Sequence, residues 1–234
     1  MFSIYKQSLI NFSFHILNMN LRELNLKLTK ESLKKDITRD VLIIQTIHTI
    51  DELIKIINKL VANLRERYGY YAPRTCKTED INQLLEAVDK KIKEDIAIEM
   101  NKEDLASIQE LADEIKSLIK LKESQEKYLE MLTNNICPNL AKTATVAIAA
   151  RLISQAGSLK HLAELPSSTI QVLGAEKALF RHLKMKAKAP KFGIIFAHPD
   201  ISKAAPQDKG KAARKIASEI SKNAKIDYFR GKKW

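Results

Sequence analysis

The clearest pattern in the chain is a heptad. Apolar positions run Ile43, Ile47, Ile50, Ile54, Ile57, Val61, Leu64 and Tyr68, with gaps alternating between four and three. That spacing lays one seam along an α-helix and marks a coiled-coil contact. Ile44, Leu53, Ile56 and Leu60 widen the stripe, so this helix should touch more than one neighbour. Tyr68-Gly69 followed by Pro73 should end it. A second seam runs Ile108, Leu111, Ile115, Leu118, Lys122, Gln125, Leu129, Leu132 and Ile136. Lys122 and Gln125 put polar groups in its middle, where they either fix register or mark a stretch facing water. Each seam implies roughly 40 Å of helix at about 1.5 Å per residue, so the two can fold back as an antiparallel coiled coil.

Between the seams lies a polar turn over residues 74–80, with Thr78 as the expected N-cap. A shorter amphipathic helix follows, marked by Ile81, Leu84, Leu85, Val88, Ile92 and Ile96. Asn101 with Asp104 resembles a weak capping box ahead of the second seam. Upstream the pattern is helical from Leu21; residues 1–20 mix strand-like and helix-like spacing and are read as helix.

Pro138 changes the texture. AKTATVAIAARLISQAG reads as one Ala-rich buried helix ended by Gly157, and SLKHLAEL as a short helix before Pro166. STIQVLGAEKALFRHLK reads as another helix, with Val172, Leu173, Leu179, Phe180 and Leu183 inward. A basic loop region, KMKAKAPKFGIIFAHPDISKAAP, leads to a last helix entered from Pro206. The fold class is therefore all-α: a coiled-coil arm over residues 21–137 and a compact helical domain over 138–234, preceded by a segment, 1–20, of unassigned role.

Charge sharpens the picture. The chain carries a net +12, and residues 184–234 hold 14 Lys/Arg against 4 Asp/Glu. A balanced scaffold thus ends in a strongly basic domain, as expected where phosphate is met. Lys184, Lys186, Lys188 and Lys191 flank FGIIFAHPD, and Lys209, Lys211, Arg214 and Lys215 open the next helix, whose N-terminal amides add positive potential. His198 and Phe196 could stack on an unpaired base; alternatively His198 is a core or loop-bridging histidine. No GxSxG, Walker, HExxH or GxGxxG motif is present and the five histidines are scattered, so neither an enzyme, a cofactor nor a metal site is expected. Cys76 and Cys137 have no metal-like or CxxC spacing and are read as idle thiols. No run of 18 apolar residues or signal peptide is present, so the expectation is a cytoplasmic protein with no membrane partner.

The run IAARLISQAGSLKHLAELPSSTIQVLGAEKALFRHLKMKAKAPKFGIIFAHPDI resembles the Nop domain, and STIQVLGAEKALFRHL is nearly a signature of it. GKAARKIA and AKIDYFRG match the rest of the domain, while RDVLIIQTIHTIDELIKIINKLVANLRERYGYYAP and LASIQELADEI resemble the two coiled-coil helices of the family. The resemblance covers roughly residues 21–234 and is nearest to archaeal core proteins of box C/D small ribonucleoproteins. It implies a scaffold that recognises a kink-turn RNA jointly with a small kink-turn-binding protein. It also implies pairing with another Nop-family chain, as homo- or heterodimer, in support of guided RNA 2′-O-methylation. Only some 20 residues precede the matched region, where the family carries its fibrillarin-binding domain, so fibrillarin recruitment is not expected of this chain. LAKTATVAIAA carries Ala, Thr and Val where relatives often place a Gly.

On this basis Gly174, Glu176, Lys177, Arg181, Lys191, His198, Lys209, Lys211 and Arg214 are the candidate RNA and partner contacts. Gly174, Lys177 and Arg181 should share one helical face, Gly174 admitting a close backbone or phosphate and Glu176 meeting the partner protein or a neighbouring cation. Dimerisation is assigned to Ile47, Ile50, Ile54, Ile57, Val61, Leu64, Ile115 and Leu118. A self-associating coiled-coil adaptor without RNA binding is the alternative; it has no need of the basic block at 184–215.

Overall fold

The computed structural model describes residues 21–36, 38–95, 97–185 and 187–230. The helix expected over 1–20 lies outside the described residues, as do Ile96, Lys186 and 231–234. All regular structure among the described residues is helical, as the sequence pattern requires. None of these helices is long and apolar enough to cross a membrane.

The chain divides into two compact units, meeting between Val41 and Leu42. The first holds helix α1 (Leu21–Asp36), which carries exposed Leu26, Leu28 and Leu33. Thr38 then donates its hydroxyl to the Asp40 carboxylate at the start of the next helix.

The second unit contains everything from Leu42 onward and is organised by two long helices, α2 (Asp40–Gly69) and α4 (Lys102–Ile136). They run antiparallel. Ile57, Val61 and Leu64 of α2 share one core with Ile108, Ala112 and Ile115 of α4, whereas Ile43, Ile47 and Ile50 share another with Leu129 and, partly buried, Leu132 and Ile136. The two seams therefore cover each other within one chain. Lys122 is half-buried and pairs with Glu126 on its own helix at 3.6 Å, so it does not pin register across the arm.

The outer end of the arm is closed by α3 (Ile81–Asp89), shorter than the pattern implied: Ile92 falls outside it, after Lys91 takes a positive φ of 49°. Its N-cap is Asp80, which accepts from the Asn82 amide at 2.9 Å, not Thr78. The Thr78 carbonyl instead accepts from Arg65 at 2.9 Å. Asp104 accepts from the Asn101 amide at 3.3 Å, so the expected capping box forms. Buried Tyr68 shares its hydroxyl proton between the carbonyls of Ala87 and Ile92, at 2.9 and 2.8 Å. Burial pushes that hydroxyl up from 10.0 to about 12. Glu94 accepts from the Arg74 and Thr75 amides and the Thr75 hydroxyl, at 3.0, 2.8 and 2.8 Å. Desolvation raises its carboxyl, but these bonds outweigh it and leave the group below its ordinary value.

The compact end is built from α5 (Pro138–Ala144), α6 (Val146–Ala156), α7 (Leu159–Glu164), α8 (Ser167–Val172), α9 (Glu176–Met185), α10 (Pro199–Ser202) and α11 (Lys209–Arg230). Helix α11 packs on α5, α7 and α8. Its buried face includes Ala213, Ala217 and Ala224, small enough to bring backbones close, with Ile216 and Ile220 filling the core between them. Buried Asp227 near its end accepts from the Asn139 amide, the Asn139 side chain and the Leu140 amide, at 3.3, 2.7 and 2.8 Å, capping α5 from far along the sequence. The N-terminal part of α2 is rooted in this core, tied further by Asp51–Arg151 at 2.7 Å and His48–Ser154 at 2.7 Å.

Two helices expected as single runs are broken. The Ala-rich helix splits at Thr145, whose φ of 70° and ψ of 154° belong to a region that glycine fills readily. The STIQVLGAEKALFRHLK helix splits at Gly174, where φ is 86°. Moreover, Phe180 and Leu183 are not core residues: they are 59% and 68% exposed, and α9 buries no side chain fully. Helical periodicity marks an apolar face without saying what covers it.

Candidate nucleic-acid interface

Two glycines hold the basic end in shape. Gly174 sits in the left-handed turn between α8 and α9, and a Cβ there would lie 2.5 Å from Cγ1 of Ile194. A Cβ on Gly193 would lie 2.0 Å from the Leu173 carbonyl oxygen. The two segments are laced by Gly193 N to Gln171 O at 2.9 Å, Ile194 N to Leu173 O at 2.8 Å, and Gln171 Nε2 to Lys191 O at 2.6 Å. Gly174 therefore makes room for its own chain, not for a phosphate or a partner backbone as the sequence had implied. Nor does it share a helical face with Lys177 and Arg181, because it precedes the helix.

Glu176 is also turned inward to local duty. It accepts from the Gly174 amide at 2.7 Å and from the Gln155 side chain at 3.3 Å, fixing the start of α9 rather than pairing with a cation.

His198 is 7% exposed, too covered to offer its ring to a base. Its Nδ1 accepts from the Asp200 amide at 3.2 Å. Its Nε2 therefore carries the proton and donates to the Thr143 carbonyl at 2.9 Å. The loop-bridging alternative is the one the fold adopts: His198 caps α10 and ties the loop to α5.

The cations behave differently. Lys177, Arg181, Lys191, Lys211 and Arg214 are all exposed. No ion pair among the described residues engages them. Arg214 donates only to the Gly210 carbonyl of its own helix, at 3.3 Å. Half-buried Lys209 lays its ammonium 5.0 Å from the centroid of the Phe196 ring, and Phe196 stacks on Phe192 at 4.6 Å with 12° between planes. Phe196 occupies the short 3₁₀ turn Ile194–Ala197. Phe192 and Gly193 build this aromatic step, and a glycine just after an aromatic residue is its one visible signal in the sequence.

On α9, Lys177, Phe180, Arg181 and Lys184 follow at i, i+3, i+4 and i+7 and share one exposed face. This face interleaves an open aromatic ring with unneutralised cations. Among the described residues no group of three or more His, Cys, Asp or Glu is placed to hold a metal ion. Cys137 is buried and Cys76 half-buried.

The seam residues assigned to dimerisation are spent within the chain. Ile47 and Ile50 lie in the core of the compact end, and Ile57, Val61, Leu64 and Ile115 in that of the arm, while Ile54 and Leu118 are partly covered against them. They present no open seam to a second copy.

Comparison with known proteins places this arrangement. The Nop family model, described as a snoRNA binding domain, fibrillarin, matches residues 43–233. The chain belongs to the Nop family. An uncharacterised NOP5 family protein of Methanocaldococcus jannaschii is 36% identical, over 86% of this chain and 56% of its own length. Human nucleolar protein 56 is 34% identical, over 81% of this chain and 37% of its own. A Nop5p chain solved in a fibrillarin/Nop5p complex is 27% identical with a TM-score of 0.56, covering 91% of this chain and 70% of that one. The Nop chain described here spans about half the length of its archaeal relative and less of the nucleolar ones.

Proposed function

We propose that this Nop-family chain is a non-enzymatic RNA-binding scaffold of a box C/D-type small ribonucleoprotein. It recognises a kink-turn RNA jointly with a small kink-turn-binding protein and pairs with another Nop-family chain through its arm, in support of guided 2′-O-methylation or a related assembly role. One observation carries the joint recognition: the mixed face of α9, where Phe180 stands open among Lys177, Arg181 and Lys184. RNA alone would leave this apolar surface wet, and a protein alone would leave the cations unmatched. A protein already carrying RNA covers both. The family model's description as an snoRNA-binding domain supports the RNA. The relative solved in a complex with fibrillarin supports a fibrillarin within the proposed assembly.

The test is binding to a kink-turn RNA already loaded with its small protein partner. Lys211→Ala and Arg214→Ala should weaken binding and each lower the salt slope by about 1. Phe180→Ser with Leu183→Ser should weaken binding to the loaded RNA far more than retention of the bare RNA. If the wild type does not bind the loaded RNA at all, RNA recognition is excluded and the coiled-coil adaptor takes its place.

A further inference from the structure

We infer that Phe196 is a platform on which one unpaired nucleobase stacks, with Lys209 placed to take the phosphate beside it. This rests on the proposed RNA-binding function and adds the mode of contact. Sequence offered two rings for such a role, and the fold separates them. His198 is buried with both nitrogens in use, whereas Phe196, two residues earlier, leaves 41% of its surface open at the edge of the basic patch.

The ring is held for use. Phe192 stacks against it and fixes its plane. In the same turn Ile195 is fully buried, Gly193 before it is clamped against the Leu173 carbonyl, and His198 after it fastens the end of the turn to Thr143. A side chain standing on so fixed a turn loses little freedom when a ligand arrives. The Lys209 ammonium over the same ring shows that a cation and a π-face meet at one spot. A nucleotide presents the matching pair, a flat base and a phosphate. The lysine stem is flexible, so the ammonium can move to a phosphate as the base takes its place over the ring. No base-edge donor or acceptor is needed, so the ligand class is a single splayed nucleotide of any sequence.

The experiment compares Phe196→Ala, Phe196→Leu and Phe196→Trp in binding to the protein-loaded kink-turn RNA across a salt series, with a thermal melt of each variant. A lost stack should weaken binding roughly 5- to 150-fold for Ala and Leu, with Trp equal to or better than Phe and the salt slope unchanged throughout. The Trp variant, made with Trp234→Phe to remove the one natural tryptophan, should lose fluorescence on binding as the base stacks on it. Wild-type binding with Phe196→Leu as tight as Phe196 overturns the platform. So does a loss of affinity in the Leu variant without quenching in the Trp reporter, which marks an apolar contact with protein instead. Failure of the wild type to bind would remove RNA recognition itself, an outcome distinct from either.

Discussion

The imidazole of His198 donates to the carbonyl of Thr143 at 2.9 Å, across 55 positions of sequence, and joins the loop before α10 to the C-terminal part of α5. Because its other nitrogen accepts from the Asp200 amide, the ring holds two backbone groups at once. Replacing His198 with Ala leaves a carbonyl and an amide short of partners, a cost of about 1–3 kcal/mol. Urea unfolding should show that loss in the absence of any RNA. A variant as stable as wild type but defective in RNA binding would mean that the ring reaches the RNA directly.

Thr145 carries the opposite kind of information, a residue in a conformation that does not suit it. With φ at 70° and ψ at 154°, it holds a backbone shape that costs a non-glycine residue on the order of 1–3 kcal/mol. Thr145→Gly should therefore raise the urea midpoint with the slope unchanged, part of the gain being offset by the freer unfolded chain. A lower midpoint would show that the Thr145 side chain contributes more than its backbone costs.

The two glycines of the basic end should differ in cost. At Gly174 an added methyl meets the flexible side chain of Ile194, and the positive φ adds strain, together on the order of 1–3 kcal/mol. At Gly193 it meets the Leu173 carbonyl, which cannot move without breaking the lacing to Ile194. Gly193→Ala should be the more destabilising of the two in thermal melts; the reverse order would refute the clamp.

The outer end of the arm should respond to pH at both extremes. Tyr68 is raised from 10.0 to about 12 in the fold, so the stability it contributes is full below pH 10 and lost as pH rises towards 12. Glu94 is lowered, so its contribution is present above the ordinary glutamate value and lost as pH falls through the folded one. Tyr68→Phe should flatten the alkaline limb of stability against pH, and Glu94→Gln the acid limb. Circular dichroism with urea at each pH reads both, and an unchanged limb in either variant would remove that residue from the linkage.

Self-association needs a surface the buried seams do not provide. Tyr70, Ile92 and Ile98 are exposed around the outer end of the arm, and the Ile98 amide donates to the Tyr70 carbonyl at 3.0 Å. A dimer formed there should dissociate on Ile98→Glu, since burying an unpaired carboxylate is costly. Sedimentation at tens of micromolar should find wild type paired and the variant monomeric; a wild-type monomer would count against pairing through the arm.

Sequence alone determined the two long helices and where they stop. The four-and-three spacing of Ile43–Tyr68 and Ile108–Ile136, the Tyr68-Gly69 stop, the Asn101–Asp104 box and the basic excess after residue 184 are local properties, written in neighbours a few residues apart. Tertiary structure decided what each apolar face meets and which polar groups remain free. The seams found each other inside one chain, and Phe180 and Leu183 stayed open although their periodicity matched that of a buried face. His198 went inward because the Thr143 carbonyl and the Asp200 amide both lay within its reach. The breaks at Thr145 and Gly174 follow from packing that helix propensity does not register: α5 is held by Asp227 at one end, and the Gly174 turn by Ile194 from beyond α9. Burial and hydrogen-bond partnership are relations between distant residues, and no window of sequence contains both partners.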